Sequence, residues 1–422
     1  MKKNMRLLLI TSILFGLIFF LSQCFNANEV STDARGIVFA NPASCRKCHQ
    51  AIYDSVMLTA HYNATTPTSQ NTVHGNFNEG QNSYVYDSST KVVMQKRDSG
   101  LYQALYLNGK EMEAHRFDIT FGVRNAQTWL YWKGNNTYEL PVSYYTSANA
   151  WGTSPGFPIA QPYFKRIVGK VCFECHSSFI DSKHSDETSN SKEYFAAAER
   201  IEAMDKTTLI YGIDCQRCHG PAANHVNYHT IYPEEKKAKY IVTNSSLNAQ
   251  QKLDMCAVCH SGNDQEKLKS RFYFKPGDTL SNFYLYMPGD KYKTNFDVHG
   301  NQQRLLAESK CFLQSGTLNC SSCHNPHTNA GSNLATYSQK CMGCHTEANK
   351  NFCIVKPAAG VSIKDNCIDC HMPKKPSEAI SFYQQGNTQL SFYLLRTHKI
   401  GIYKTDSVSK PKITSKKVNK GN

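Results

Sequence analysis

The first apolar segment of the chain is the run from Leu7 to Leu21, which reads LLLITSILFGLIFFL and follows two lysines and an arginine. A short basic stretch before such a run is typical of an export signal. The run has 15 residues, whereas a membrane-spanning helix needs about 20. The pattern therefore predicts a signal peptide over residues 1–23.

Alternating apolar and polar positions between residues 75 and 160 predict an antiparallel β domain. The segments SYVYD, KVVMQKR and LYQALYL are rich in β-branched and aromatic residues. Asn108-Gly109, which follows LYQALYL, is a strong signal for a type I′ hairpin that returns through MEAHRFDITFG. A second hairpin is expected where QTWLYW leads through Lys133 to Asn136 into TYELPVSYY.

The cysteines change the picture for the rest of the chain, because 14 of the 17 fall in seven copies of the pattern C-x-x-C-H. We number these copies motif 1 to motif 7 in chain order. Their cysteines are Cys45 and Cys48, Cys172 and Cys175, Cys215 and Cys218, Cys256 and Cys259, Cys320 and Cys323, Cys341 and Cys344, and Cys367 and Cys370. Their histidines are His49, His176, His219, His260, His324, His345 and His371.

This spacing has a chemical reason. Two thiols separated by two residues form thioethers with the two vinyl groups of one haem, and the next residue brings an imidazole to the iron. Two C-x-x-C pairs also make a Cys₄ zinc site, but zinc does not require a histidine after every pair. The pattern predicts seven covalently bound c-type haems, with the motif histidines as proximal iron ligands.

Motifs 2 to 7 fall within residues 172–371, at roughly 33 residues per haem, too few for a separate apolar core around each one. The expected fold is mainly α, with little regular structure around packed haems and an inserted antiparallel β domain, hence α+β overall. The expected divisions are a motif 1 segment at 24–74, the β domain at 75–160, a six-haem domain at 161–405 and a basic disordered tail at 406–422.

The charge balance is basic, with 47 Lys and Arg against 33 Asp and Glu. Such an excess is common in proteins that bind nucleic acids. Seven haems bring two propionates each, however, and these carboxylates offset much of the formal charge of +14. We therefore expect no nucleic-acid partner.

Three cysteines lie outside the motifs. Cys24 ends the sequence LSQC after the apolar run, which resembles a lipobox in which the cysteine is lipidated, although Gln23 replaces the usual small residue. An ordinary cleaved signal and an uncleaved anchor are the alternatives. Cys311 and Cys353 are either a disulfide or two buried free thiols. The expected location is exported, on the periplasmic side of a bacterial membrane or at the outer membrane, as a lipoprotein.

His327 raises the question of the sixth iron ligand, because it stands only three residues after His324. Three residues of extended chain reach about 10 Å, too little to pass around the haem edge to its opposite face. His327 is therefore predicted to be the distal ligand of a neighbouring haem. The candidate distal ligands are His61, His225, His229, His299, His327 and His398, whereas His74, His115 and His184 are expected to be hydrogen-bonding or surface residues.

Several stretches resemble multihaem cytochromes c of the cytochrome c-552/4 type, which are related to the tetrahaem acceptor of hydroxylamine oxidoreductase and to pentahaem nitrite reductase. They are SCRKCHQAIYDSVMLTAH, CHGPAANH, NCSSCHNPHT with CMGCH, FDVHGNQ, NCIDCHMP and RTHKIGIY. The resemblance implies proximal histidines paired with distal histidines from elsewhere in the chain. The C-x-x-C-K motif of the nitrite and tetrathionate reductases of that group is absent from this sequence.

The function predicted from these features is electron transfer through mostly bis-histidine haems in an exported respiratory chain. One alternative is a reductase of a small nitrogen or sulfur oxyanion, or a hydroxylamine oxidase, acting at one five-coordinate haem. Another is a haem-bearing scaffold subunit of a membrane oxidoreductase. The expected partner is a redox protein or that oxidoreductase, with association to the membrane through a lipid anchor.

Overall fold

A computed structural model describes residues 33–182, 203–262, 264–285, 295–329, 331, 333–349, 351–355 and 362–403. The signal peptide, Cys24 and the basic tail lie outside these ranges, and so does His184. About 28% of the residues are in strands, and the helices are short. The fold is a mixture of helices and antiparallel sheets, and the expectation of a mainly α fold is not confirmed.

The β region contains a four-stranded antiparallel sheet whose strands pair in chain order. Its strands are β2 (Ser83–Val85), β3 (Thr90–Arg97), β4 (Gly100–Leu107) and β5 (Lys110–Arg116). Asn108 and Gly109 join β4 to β5 with φ angles of 51° and 79°, which is the type I′ geometry. The predicted hairpin is present.

A seven-stranded sheet follows. Its strands are β1 (Thr65–Pro67), β6 (Ile119–Phe121), β7 (Ala126–Lys133), β8 (Asn136–Glu139), β9 (Val142–Tyr145), β10 (Ala150–Thr153) and β11 (Arg166–Val168). The second predicted hairpin joins β7 to β8, with Lys133 paired to Asn136. Its first strand, β1, and its last strand, β11, lie outside the residue range 75–160 that the sequence predicts for the β domain.

Strand β7 contributes side chains to two different cores. Successive side chains of a strand point to opposite faces of the sheet, so alternate residues of β7 enter alternate cores. Trp129 and Tyr131 join Met94 and Trp151 in an aromatic core shared with the four-stranded sheet. Leu130 points the other way, into a second core that contains Phe173 of motif 2. The sheet thus forms one wall of the motif 2 region.

Three two-stranded sheets complete the β structure. They are β12 (Ser177–Ser182) with β13 (Met204–Tyr211), β14 (Glu266–Lys267) with β15 (Tyr284–Leu285), and β16 (Lys374–Tyr383) with β17 (Leu390–Arg396). The ring of Phe382 in β16 stacks on Tyr145 with centroids 3.5 Å apart. The last hairpin therefore packs against the seven-stranded sheet although it follows motif 7 in the sequence.

The helices present the motifs. The α-helices are α1 (Ser44–Val56), α2 (Lys170–His176), α3 (Cys215–His219), α4 (Ala223–Ile231), α5 (Ala249–His260), α6 (Gln302–Ala307), α7 (Lys310–Ser315), α8 (Leu334–Met342) and α9 (Ile368–His371). Helices α2, α3, α5 and α9 end at a motif histidine. None of the described helices is long and apolar enough to cross a bilayer. The helices are short because each motif has only roughly 33 residues of chain available.

Candidate haem-binding sites

Each motif is folded as a single turn that brings its thiols and imidazole together. In motif 5 the backbone N–H of His324 donates to the carbonyl of Cys320 at 2.9 Å, and the corresponding bonds in motifs 6 and 7 are 2.9 and 3.0 Å. Side-chain caps begin two of these turns, because Asp214 accepts from the backbone N–H of Arg217 and Asn319 from that of Ser321. The turns therefore form from local sequence alone.

Four motif histidines each face a histidine from outside the motifs. The ring-centroid distances are 6.3 Å for His49 and His225, 6.1 Å for His260 and His61, 5.8 Å for His219 and His327, and 6.2 Å for His324 and His398. All four partners are among the candidate distal ligands. In each pair the partner comes from a different part of the chain.

Ordinary aromatic pairs have ring centroids about 4.5–7 Å apart, so the spacing alone does not identify a metal site. What singles these pairs out is that each one includes the histidine of a C-x-x-C-H motif. The distances match two imidazoles on one metal ion, whose centroids lie about 6 Å apart when each metal–nitrogen bond is about 2.0–2.1 Å. The interplanar angle of 76° between His61 and His260 fits as well, because rotation about the metal–nitrogen axis leaves the spacing unchanged. The residues therefore fit six-coordinate haem iron.

Known proteins were compared with the chain, and no family model matches it. The dissimilatory sulfite reductase MccA of Wolinella succinogenes is 21% identical over 421 aligned positions, which cover 84% of this chain and 53% of that protein. The chain thus spans about half the length of this relative.

Two solved structures are similar. The outer cell wall cytochrome OcwA has 16% identity and a TM-score of 0.48, covering 86% of this chain and 79% of that one. The undecahaem cytochrome from the S-layer of Carboxydothermus ferrireducens has 14% identity and a TM-score of 0.37, with 82% and 51% covered.

Hydrogen bonds fix which nitrogen of several imidazoles faces the metal position. The Nδ1 atoms of His219, His225, His345 and His371 each lie 2.7–3.0 Å from a backbone carbonyl oxygen. A carbonyl only accepts, so Nδ1 carries the proton and the lone pair is left on Nε2. The acceptors are the backbone carbonyls of Val242, Lys239, Asn351 and Gly401. Every residue has a backbone carbonyl, so the sequence does not indicate which residues accept these hydrogen bonds.

Burial keeps seven of the motif and candidate distal histidines in the neutral form that binds iron. It lowers the pKa of His61, His176 and His398 to about 4. Burial also lowers the pKa of His225, His299, His324 and His327. A histidine with such a pKa is neutral at pH 7, and neutral imidazole is the metal ligand.

Two buried ring nitrogens have no hydrogen-bond partner among the described residues, Nδ1 of His398 and Nε2 of His229. A buried nitrogen in this state is costly unless another group satisfies it. His398 faces His324 with ring centroids 6.2 Å apart. His229 lies beside His225 with centroids 4.6 Å apart and a tilt of 59°, and it does not face a motif histidine.

Motif 2 has a different environment. Phe121 of β6 stacks on His176 with centroids 4.9 Å apart and an interplanar angle of 14°. Burial is the main cause of the lowered pKa of His176, and the charge of nearby His299 is the second cause. The two rings are not paired at the 6 Å spacing. Sequence reasoning missed Phe121, which read only as part of a strand.

The remaining histidines are distributed unevenly. Within the described residues, neither His345 nor His371 has a histidine opposite it at the 6 Å spacing. His115 stacks on Tyr131 at 4.0 Å and its Nε2 lies 2.8 Å from Glu113, so its role is structural, as expected. His74 has its backbone N–H bound to the side chain of Gln127.

Cysteines of different motifs also meet. The thiol of Cys45 contacts that of Cys215, Cys175 contacts Cys259, and Cys256 contacts Cys320. These contacts place the attachment points of motifs 1 and 3, 2 and 4, and 4 and 5 side by side. Cys311 and Cys353 are both partly buried free thiols, which favours the second of the two alternatives for them.

Proposed function

We propose that the protein is a heptahaem c-type cytochrome that transfers electrons through mostly bis-histidine haems. The observation that carries the proposal is the set of four motif histidines, each with a second histidine 5.8–6.3 Å away. When bound, the haems supply reversible one-electron chemistry. An iron with imidazoles on both faces has no position for substrate, so those four sites serve electron transfer.

The arrangement of the motifs supports transfer between sites. Thiols of neighbouring motifs touch at Cys45 and Cys215 and at Cys256 and Cys320. Distal histidines cross between sites as well: His61 follows motif 1 but faces motif 4, and His327 follows motif 5 but faces motif 3. Attachment points interlinked in this way bring haem edges close together.

Export as a lipoprotein anchored through Cys24 belongs to the same proposal, and it is supported by the basic, apolar and cysteine-ending N-terminal sequence. Covalent attachment of haem to such motifs also takes place outside the cytoplasm. The partner is a redox protein or a membrane oxidoreductase that exchanges electrons on that side of the membrane.

A second candidate function is reduction of a small sulfur oxyanion, favoured by two observations. The chain is similar to a sulfite reductase over 84% of its length. His176 of motif 2, like His345 and His371, faces no histidine at the 6 Å spacing among the described residues, whereas the other four motif histidines do. In this reading one iron binds substrate, and the four paired sites deliver electrons to it.

Low-temperature EPR of the oxidised protein, quantified against a haem count, separates these functions. Only low-spin ferric signals, unchanged by sulfite, support a carrier. A high-spin signal of one haem per chain that shifts when sulfite is added supports the reductase. A haem count well below seven contradicts the heptahaem proposal.

A further inference from the structure

Glu174 is a buried acidic residue inside motif 2. It stands immediately before Cys175, and its side chain is 0% exposed. Acidic residues are almost never fully buried unless they are paired. Nothing in the attachment chemistry requires an acid here, because the two residues between the cysteines are free to vary in a C-x-x-C-H motif.

Three side chains surround this carboxylate. Nζ of Lys267 lies 2.9 and 3.1 Å from its two oxygens, and Oγ of Ser270 donates to it at 2.6 Å. The guanidinium of Arg271 lies 3.8 Å away and is itself buried. The carboxyl group is therefore held in one position between two cationic side chains.

The backbone of Glu174 joins motif 2 to motifs 3 and 4. Its carbonyl accepts a hydrogen bond from the guanidinium of Arg217 in motif 3 at 3.0 Å. The thiol of Cys259 in motif 4 also approaches this carbonyl, at 3.9 Å. Arg217 donates in addition to the carbonyl of Arg271 at 2.9 Å. One carboxylate and three cationic side chains, those of Lys267, Arg271 and Arg217, thus lie at the meeting point of three haem-attachment turns.

A buried ion pair is weak evidence for stability, because desolvation cancels much of its attraction. Each individual charge of the pair nevertheless acts strongly on a neighbouring site, since little water screens it. Removing the carboxylate alone therefore changes the net charge beside motif 2 by one unit. Reduction of a haem adds one negative charge close to this carboxylate. A fixed anion therefore favours the oxidised haem, and nearby charge is one determinant of haem potential.

We propose that the carboxylate of Glu174 lowers the redox potential of the haem held by motif 2 relative to the potential that this haem has without the carboxylate. The cations of Lys267 and Arg271 act in the opposite direction. This inference rests on the proposed haem-binding function.

The test is a spectroelectrochemical titration of the intact holoprotein and of Glu174→Gln, which keeps the shape and the capacity to accept from Ser270. We expect one of the haem transitions to move to higher potential, so that the ratio of reduced to oxidised haem rises at least tenfold at a fixed potential, or about 59 mV for one electron. A His176→Met variant assigns the step to motif 2, because it perturbs the same transition.

Lys267→Gln separates an electrostatic role from a structural one. Lys267 is partly exposed, and removing its positive charge is expected to move the same transition to lower potential. If the substitutions act by loosening motif 2, both variants shift the potential of this transition in the same direction. If they act by removing opposite charges, the two variants shift it in opposite directions. Glu111→Gln, which removes a carboxylate paired with Arg97 on the surface of the β region, is the control and leaves all transitions unchanged.

The inference is overturned if Glu174→Gln leaves every transition in place, or if both variants shift the motif 2 transition in the same direction. Haem counts and low-spin EPR signals of the same samples report on the proposed function separately. A full haem complement without a shift removes the role of Glu174 and leaves electron transfer intact.

Discussion

The imidazoles of His219 and His327 lie parallel, with an interplanar angle of 7° and ring centroids 5.8 Å apart. Hydrogen bonds hold both residues in place. Nδ1 of His219 bonds to the carbonyl of Val242 at 2.7 Å, and the carbonyl of His327 accepts from Ser55 of α1 at 2.7 Å. The histidine that follows motif 5 is thereby presented to motif 3 rather than to its own haem.

Replacing His327 by alanine is expected to leave the motif 3 haem five-coordinate. One haem per chain then changes from low-spin to high-spin, because the proximal His219 remains and the opposite imidazole is lost. EPR and the near-infrared absorption of the oxidised protein measure this change. His115→Gln is the matched control, since His115 packs on Tyr131 away from any motif histidine. If every haem of His327→Ala stays low-spin, His327 is not a ligand.

His225 and His229 are four residues apart on α4, and the structure distinguishes them. The ring of His225 is within 12° of parallel to His49 at 6.3 Å, whereas His229 is tilted against His225. We expect His225→Ala to convert the motif 1 haem to high-spin and His229→Ala to leave it low-spin. EPR of the two variants is the measurement, and equal effects of the two substitutions refute the assignment.

Gly212 allows the chain to pass close to the segment that carries His61. Its φ is +60°, and a Cβ there overlaps the carbonyl oxygen of Tyr62. The next backbone N–H, of Ile213, donates to the carbonyl of His61 at 2.8 Å. Gly212→Ala is expected to displace His61 and to give a high-spin fraction at motif 4, with a lower Tm.

The control for this change is Gly109→Ala. Gly109 also has a positive φ of +79°, but nothing lies within 4 Å of its Cβ position. Both substitutions incur the cost of a left-handed residue, about 1–2 kcal/mol. Only Gly212→Ala is expected to alter the haem spectrum. An unchanged spectrum in both variants means that the close approach at Gly212 does not position His61.

Glu139 is expected to make stability depend on pH. Burial raises the pKa of its carboxyl group from 4.5 to about 7, in spite of Arg166 at 3.1 Å. A carboxyl group with a raised folded pKa contributes stability that is complete below about pH 4.5 and is lost as the pH rises through 7. Ionisation of Glu139 therefore destabilises the β region by at most about 3 kcal/mol near pH 8.

Thermal unfolding of the wild type and of Glu139→Gln at pH 5 and pH 8 checks this expectation. The difference in Tm, variant minus wild type, is expected to be more positive at pH 8 than at pH 5. Glu111→Gln, which alters an exposed pair, shows no such trend between these pH values. A constant difference for Glu139→Gln contradicts the raised pKa.

Local features of the fold follow from the sequence for local reasons. A type I′ turn needs two residues that accept positive φ, and Asn108-Gly109 supplies them wherever the strands lie. One turn of chain sets the spacing of two thiols and an imidazole, so the attachment points are readable as motifs. The strand content is less predictable, because the hairpins β12–β13 and β16–β17 lie outside the period-two pattern at 75–160 and pack against the seven-stranded sheet through tertiary contacts.

The sequence by itself determined the seven C-x-x-C-H motifs, from which covalent haem attachment and proximal histidines are predicted, and a set of other histidines as candidate distal ligands. Only the tertiary structure decided which pairs form, that His225 rather than His229 faces His49, and that His115 belongs to the β core. It also decided that Glu174 meets Lys267 and Arg217. Such pairs depend on the path of the chain through space, and spacing along the sequence carries no information about that path.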